Sequence, residues 1–215
     1  MKTLIVGDVH GRVEVVERAL AQAAPVIFVG DFLDSFNRTV ADQIKCLDLV
    51  LEAIATDKAQ AILGNHELSY LTQWHRCSGW NHATQAHIDG GYRKKIYDNF
   101  VDFVFNEPNI LITHAGLTKQ LWDKELLTLE LLPQILAEWC ADIDSPAHLI
   151  GQARGGWTSY GGIFWCDFKH EFQEIPELVQ VFGHSQDKTI RNQGNSYCID
   201  CNEYNDELFY YDLPE

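Results

Sequence analysis

Short apolar runs alternate with amphipathic stretches over the first third of the chain. Residues 3–6 and 26–29 are apolar runs that each stop at a Gly-Asp pair, as buried strands of a layered α/β sheet do. Apolar residues recur at helical spacing over residues 13–23 and again over 40–54, and residues 59–63 form a third apolar run. The pattern therefore predicts a β-α-β-α-β opening.

The middle of the chain is less regular. Residues 68–106 are rich in aromatic side chains and lack a sustained period, which predicts a helical or loop insertion. Residues 109–113 then form a predicted strand, and residues 121–139 carry a helical pattern that we expect to be interrupted at Pro133.

The last third contains four short apolar runs separated by polar or Gly-rich turns. The runs are residues 161–166, 179–182, 197–200 and 207–213. Runs of this length predict a second, more antiparallel sheet. We expect the whole chain, residues 1–215, to form one domain in which the two sheets face each other as a sandwich.

Length and composition permit a single core and narrow the range of partners. The chain has 215 residues, of which 46% are hydrophobic, and a formal net charge of -15. This acidic balance argues against binding nucleic acid polymers, which requires clustered Lys and Arg, but leaves room for a small anionic substrate beside bound cations. No apolar run approaches membrane-spanning length and the N-terminal run is too short for a signal peptide, so we expect a cytoplasmic protein with no membrane partner.

Six cysteines are scattered along the sequence, which is typical of reduced and mostly buried thiols. Cys198 and Cys201 form a Cys-x-x-Cys pair, for which a redox or zinc role is an alternative. The chain has no second such pair, and the residues around this one alternate as in a strand. We therefore favour the structural interpretation.

Five polar clusters follow apolar runs and carry the candidate chemistry. They are GDVHG (residues 7–11), GDFLD (30–34), GNHE (64–67), THAG (113–116) and GHS (183–185). The first three fall at the carboxyl ends of predicted strands, where open α/β sheets bind their ligands. A donor set of carboxylates and imidazoles suits Mn, Fe or Zn, so the pattern favours metal-assisted hydrolysis.

The spacing suggests how two ions would share these residues. Asp8 and His10 can converge on one ion, and Asp31 has two carboxylate oxygens with which to bridge two. The second ion would bind the neutral amide oxygen of Asn65 and the imidazoles of His114 and His184. The predicted metal ligands are thus Asp8, His10, Asp31, Asn65, His114 and His184. Two such ions would lower the pKa of a shared water and neutralise phosphate oxygens.

His66 lies beside a proposed ligand but within a turn, next to Glu67. We predict that it donates a proton to the leaving oxygen rather than binding metal. Asp34 would hold its imidazole in the correct tautomer and raise its pKa.

The five motifs in this order resemble those of the calcineurin-like metallophosphoesterases. They are most similar to the branch that contains Ser/Thr phosphoprotein phosphatases and bacterial diadenosine tetraphosphatases, and the resemblance extends from residue 4 to about residue 201. It implies a four-layer α/β/β/α sandwich. It also implies that Asp31 is shared by both metals and that His66 and Asp34 form the acid pair.

The chain departs from that branch at two positions. Ser35 stands where the branch usually has a phosphate-binding Arg, so an arginine from elsewhere would have to replace it. Arg154, in a Gly-rich stretch, is the first candidate and Arg38 the second. Gln186 stands where many members of the wider family carry a further His, which brings the chain nearer to the phosphoprotein-phosphatase branch.

The leading prediction is a phosphoesterase that hydrolyses phosphomonoesters, phosphoproteins among them, with two divalent ions. Mn is the first choice of metal, with Fe, Zn, Ni or Mg as alternatives. A second hypothesis is a hydrolase of dinucleoside polyphosphates or other nucleotides, because aromatic residues between Trp74 and Tyr97 offer stacking surfaces. A third is a catalytically silent binding module of the same fold, which the intact ligand set disfavours.

Overall fold

The computed structural model describes residues 2–214 of the chain. These residues contain seven α-helices and nine β-strands. The strands are β1 (Lys2–Val6), β2 (Val26–Phe28), β3 (Ala59–Ala61), β4 (Val104–Asn106), β5 (Ile110–Ile112), β6 (Val179–Phe182), β7 (Arg191–Gln193), β8 (Ser196–Cys198) and β9 (Phe209–Asp212). The helices are α1 (Val13–Leu20), α2 (Val40–Ala55), α3 (Asn65–Thr72), α4 (His82–His87), α5 (Arg93–Asn99), α6 (Lys119–Lys124) and α7 (Leu132–Cys140).

The first sheet has the strand order β3-β2-β1-β9. Strands β1, β2 and β3 are parallel, which confirms the predicted β-α-β-α-β opening. Strand β9 is antiparallel to β1. The sequence pattern placed residues 207–213 in the second sheet, and this was wrong: a half-buried antiparallel strand looks the same along the sequence whichever sheet it joins.

The second sheet has the order β4-β5-β6-β8-β7. It is mixed, because β5, β6 and β8 are parallel while β4 and β7 pair antiparallel at its two edges. Two of its four strand pairings are antiparallel, against one of three in the first sheet, so the prediction of a second, more antiparallel sheet is confirmed. The two edge strands escaped prediction because they are three residues long and only partly buried or exposed.

Residues 161–166 were predicted as a strand but form buried turns. Ile163 and Phe164 are fully buried, so the run is apolar because of its burial and not because it pairs in a sheet. Gly162 explains the path of the chain: a Cβ atom there would lie 2.2 Å from the carbonyl oxygen of Ala147. Only glycine allows the backbone to pass so close to the preceding segment.

The helical pattern over residues 121–139 corresponds to two helices instead of one interrupted helix. Helix α6 ends at Lys124, and the turn that follows contains Leu126 with a φ of 53°. Pro133 lies in the first turn of α7, where its missing N–H costs no hydrogen bond. Pro133 therefore lies at the start of the second helix and does not interrupt a helix.

Alternate residues of the central strands face two different cores. Leu4 and Val6 of β1 belong to a large cluster with apolar residues of α1 and α2, whereas Ile5 between them belongs to the cluster between the two sheets. That second cluster comprises Ile5, Ile27, Val29, Ile62, Ile110, Ile112, Val181, Ile199 and Leu213. Facing sheets with helices outside them confirm the predicted α/β/β/α sandwich.

Helices α3, α4 and α5 fill the irregular segment between β3 and β4, with a π-helical turn at Ile88–Tyr92 joining the last two. That residues 68–106 are an insertion within a single domain of residues 1–215 stays a prediction. Over residues 2–214, no helix is both long and apolar enough to cross a membrane.

Candidate metal centre

The five polar clusters meet where the two sheets come together. Asp8 and Asp31 follow the carboxyl ends of β1 and β2, and Asn65 begins the helix that follows β3. His114 and His184 follow the ends of β5 and β6 in the second sheet. Because parallel strands end at one edge of a sheet, the topology brings these side chains together from both sheets.

Four donor atoms form one group at the centre of this edge. The Oδ1 atom of Asn65 lies 2.8 Å from Nε2 of His114 and 3.0 Å from Nδ1 of His184. These two ring nitrogens are 3.1 Å apart, and Oδ2 of Asp31 lies 3.4 Å from Nε2 of His114. Oxygen and nitrogen donors this close can share one ion, which is the role predicted for these residues.

The second group is built around His10. Its Nε2 atom lies 3.9 Å from Oδ2 of Asp8 and 3.8 Å from Oδ2 of Asp31. Its Nδ1 atom is 2.8 Å from the carbonyl oxygen of Leu33 and 2.7 Å from that of Asp34. Nδ1–H therefore donates to the backbone, which fixes the tautomer and leaves Nε2 free to bind a metal. Asp31 belongs to both groups, as a bridging carboxylate must.

Four site residues have a left-handed backbone. Seven non-glycine residues of the described chain have positive φ angles, and His10, Asp31, Asp34 and His184 are four of them. Such conformations are rare for residues with a Cβ atom and concentrate at functional sites. The sequence offered no sign of these backbone conformations.

Two glycines allow the carboxylates to approach the backbone. A Cβ atom at Gly64 would lie 2.1 Å from Oδ1 of Asp31, and one at Gly183 would lie 2.2 Å from Oδ1 of Asp8. Each glycine precedes a proposed ligand, so any larger residue would push a metal-binding carboxylate out of place. This is the physical reason for glycine in the motifs at residues 64 and 183.

Glu67, predicted only as a neighbour of His66, anchors the loop that carries Asp31. Its fully buried carboxylate accepts hydrogen bonds from the backbone N–H groups of Asp31, Phe32, Leu33 and Gly64, at 2.8–3.1 Å. Burial and the neighbouring Asp31 raise its pKa to about 7, against the effect of these donors. Glu67 stands three residues after the N-cap Gly64, a spacing that signals its contact with the Gly64 N–H but not those with residues 31–33.

His66 and Asp34 form the predicted pair. Nδ1 of His66 lies 2.8 Å from Oδ2 of Asp34, and the hydroxyl of Tyr70 donates to the other carboxylate oxygen. Burial alone would lower the pKa of His66, but Asp31 and Asp34 outweigh it and raise that pKa to about 9. Nε2 of His66 also lies 3.8 Å from Oδ2 of Asp31, so this geometry permits a ligand role as well.

Buried carboxylates at the site lie close enough to shift one another's pKa values. Burial and Asp31 raise the pKa of Asp8, while burial and Asp8 raise the pKa of Asp200 well above its usual range. Burial would also raise the pKa of Asp31, yet the imidazoles of His114 and His66 hold it well below the normal value. Buried carboxylates of this kind are stabilised by bound cations. Asp200 was not predicted as a site residue, because it lay inside the predicted strand over residues 197–200 and has no glycine beside it to mark a polar motif.

The pKa values of His114 and His184 are shifted in opposite directions. Burial would lower the pKa of His114, but Asp31 raises it to about 9. Burial and the guanidinium of Arg154 hold the pKa of His184 well below its usual range. Nδ1 of His114 donates to the carbonyl oxygen of Val29 at 2.8 Å, so its Nε2 faces the other donors. A neutral His184 keeps a ring lone pair available, and this mixed set of oxygen and nitrogen donors suits Mn, Fe or Zn.

All of the proposed metal ligands except His114 line a cavity of about 420 Å³. Arg154 also lines it, 2.9 Å from Oδ2 of Asp167 and 3.1 Å from the carbonyl oxygen of His184. Arg38 does not line it and pairs with Glu14 instead. Of the two arginines predicted as phosphate contacts, only Arg154 is therefore placed at the cavity.

Cys198 and Cys201 are buried and free. Burial raises the pKa of the Cys198 thiol to about 12 and that of Cys201 to about 11. The Cys198 thiol lies 3.4 Å from the carbonyl oxygen of Gly183 and 3.3 Å from that of Ser185, so it packs against the segment that carries His184. Within residues 2–214, no candidate metal group includes a cysteine.

Comparison with known proteins places this site in a family. The model of the calcineurin-like phosphoesterases matches residues 1–188. No curated protein matches the chain.

Solved structures share the fold at low identity. A cold-active protein-tyrosine phosphatase from a psychrophilic Shewanella species is 16% identical, with a TM-score of 0.59 over 93% of this chain and 71% of its own. A second structure of a cold-active protein tyrosine phosphatase is 15% identical, with a TM-score of 0.55 over 93% and 69%. The family match spans all five motifs, and the chain therefore belongs to the calcineurin-like phosphoesterase family of metal-dependent hydrolases that act on phosphoesters.

Proposed function

We propose that this chain hydrolyses phosphomonoesters, phosphoproteins among them, with two divalent ions. The observation that supports this is the convergence of donor atoms from both sheets on Asp31, beside the His66–Asp34 pair. In this proposal Asp8, His10 and Asp31 hold the first ion, and Asp31, Asn65, His114 and His184 hold the second. The ions would activate water and neutralise phosphate oxygens.

The protein's own residues supply orientation and a proton. His66 donates a proton from Nε2 to the leaving oxygen, while Asp34 accepts the hydrogen bond from Nδ1 and keeps the ring in place. Tyr70 donates to the same carboxylate and limits its rotation. Arg154, which lines the cavity, contacts the phosphate.

The aromatic segment gives less support to a nucleotide substrate than its sequence suggested. Trp80 stacks on Tyr70, with ring centroids 5.8 Å apart, and the Tyr92 hydroxyl donates to Asp48. These rings are engaged in contacts within the protein, which leaves Trp74 and Tyr97 as the exposed aromatic rings of the segment. A phosphomonoester needs no base-binding site, so we rank it above dinucleoside polyphosphates.

The complete ligand set argues against a silent binding module. We further propose Mn as the metal and the cytoplasm as the location.

A substrate panel tests this proposal. The Mn-loaded protein is expected to hydrolyse nitrophenyl phosphate and phosphotyrosyl or phosphoseryl peptides with higher kcat/KM than diadenosine tetraphosphate. Parallel assays with Mg, Zn, Fe and Ni identify the preferred metal. Faster hydrolysis of the dinucleotide would favour the nucleotide hypothesis, and inactivity with every metal and substrate would favour a binding module.

Arg154→Ala is expected to lower kcat/KM by about 10- to 100-fold, the range for a lost hydrogen bond to a charged group. Besides its contact with Asp167, Arg154 has a buried Nε atom without a hydrogen-bond partner. Arg154→Lys should restore little, because an ammonium cannot reproduce the two parallel donors of a guanidinium.

Arg38→Ala is the matched control for this prediction, since it removes an exposed arginine outside the cavity. Its kcat/KM should change by less than about twofold, as for an exposed ion pair. Metal content should be unchanged in all three variants. Normal kcat/KM in Arg154→Ala would show that this arginine does not contact the phosphate.

A further inference from the structure

Three arginines line the cavity that contains the metal-binding groups: Arg12, Arg76 and Arg154. Two of them already have a carboxylate partner. Arg12 lies 2.9 Å from Glu203, and Arg154 lies 2.9 Å from Asp167. Arg76 differs, because no acidic group of the described chain lies within 4 Å of its guanidinium. It is therefore the cavity arginine whose charge is not neutralised by the protein.

The loop that carries Arg76 passes beside the position where the related phosphatases have their phosphate-binding arginine. Arg76 lies between α3 and α4, three residues before Gly79. Gly79 has a φ of 92°, and a Cβ atom there would lie only 3.0 Å from Cβ of Asp34. Ser35 follows Asp34 and lines the same cavity as Arg76. The loop thus brings a guanidinium to the region that Ser35 leaves without one.

An aromatic platform orients Arg76. Its guanidinium carbon lies 3.9 Å from the centroid of the Trp80 ring. Trp80 stacks on Tyr70, whose hydroxyl donates to Asp34. A guanidinium stacked on a ring keeps its N–H edges free for hydrogen bonds in its own plane. The platform that holds Arg76 is therefore connected to the carboxylate that holds His66.

We propose that Arg76 binds the phosphate group of the substrate, in the place of the arginine that Ser35 replaces. This inference rests on the proposed function, because it assumes that a phosphoester occupies the cavity. The stacked guanidinium offers two parallel N–H donors to non-bridging phosphate oxygens, and no carboxylate of residues 2–214 pairs with it. Arg76 adds to Arg154 as a second phosphate-binding cation.

Binding of inorganic phosphate to the Mn-loaded protein tests this inference, with isothermal titration calorimetry as the measurement. In Arg76→Ala the Kd for phosphate should rise by about 10- to 100-fold, as expected for losing a charge-assisted contact. Arg76→Lys should give an intermediate Kd, because it keeps the charge but loses the planar fork. KM for nitrophenyl phosphate should rise in parallel.

Lys94→Ala is the matched control, since Lys94 is an exposed cation on α5 that does not line the cavity. Its phosphate Kd should equal that of the unaltered protein. Arg76 is exposed, so its removal should leave the circular dichroism spectrum and the metal content unchanged. An unchanged phosphate Kd and KM in Arg76→Ala would overturn the inference. Phosphate binding does not require turnover. Weaker phosphate binding by Arg76→Ala would therefore support this inference even if the protein hydrolysed no substrate, whereas inactivity alone would refute only the proposed function.

Discussion

Asp31→Asn is expected to remove both metal ions and to lower phosphoester hydrolysis by about a thousand-fold or more, since metal ions contribute several kcal/mol of transition-state stabilisation. Asp31 is the residue common to both groups of metal-binding atoms. An amide carries no charge, and if its one oxygen keeps the hydrogen bond with the backbone N–H of His66, its NH2 group replaces the Oδ2 atom that lies in both groups. An NH2 group cannot bind a cation. The loss should therefore exceed that for removing any ligand of a single ion.

The substitution is chosen so that the fold survives. Asp31 has a φ of 53°, a conformation that Asn also adopts readily. Its Oδ1 accepts the backbone N–H of His66 at 3.0 Å, which an amide oxygen can still do. Asp123→Asn, at an exposed acid on α6, is the control and should retain metal and activity. An Asp31→Asn protein that keeps two ions and normal kcat would contradict the bridging role.

His66→Asn is expected to lower kcat by about 10²- to 10⁴-fold on substrates with poor leaving groups, the range for one general acid. Nδ1 of His66 is held by Asp34, so its Nε2 is the atom available to donate a proton. Nitrophenyl phosphate should suffer less, because nitrophenolate leaves without being protonated. Metal content should stay at that of the unaltered protein.

This variant also separates the two roles that the geometry of His66 permits. Nε2 lies 3.8 Å from Oδ2 of Asp31, close enough for His66 to share an ion with His10. If His66 were a ligand, the substitution would lower metal content and reduce hydrolysis of both substrate types equally. Alkyl and nitrophenyl phosphate kinetics, combined with elemental analysis, distinguish the two outcomes.

The motifs were predictable because each lies at the end of a buried parallel strand. An apolar run that stops at Gly-Asp predicts both the strand and the edge at which its aspartate lies, so the placement of Asp8 and Asp31 at one edge of the sheet could be predicted from the sequence. His114 follows the same rule in the second sheet. The sequence also signalled α1 and α2 through their helical spacing.

Features that depend on contacts between distant segments were not predictable. The apolar run at residues 161–166 is indistinguishable from a strand along the sequence, although its Gly162 packs against the backbone of Pro146 and Ala147. Strand β9 could have joined either sheet. Arg76 has no motif around it, and only the packing of its loop against Asp34 brings it to the cavity.

The central claim is that this phosphoesterase works with two ions per chain, and metal titration of the stripped protein tests it most directly. The protein is freed of metal with a chelator, then titrated with Mn²⁺ while nitrophenyl phosphate hydrolysis and bound metal are both measured. We expect no hydrolysis without metal and full activity only when two ions are bound. Full activity with a single bound ion, or hydrolysis by the metal-free protein, would contradict the account.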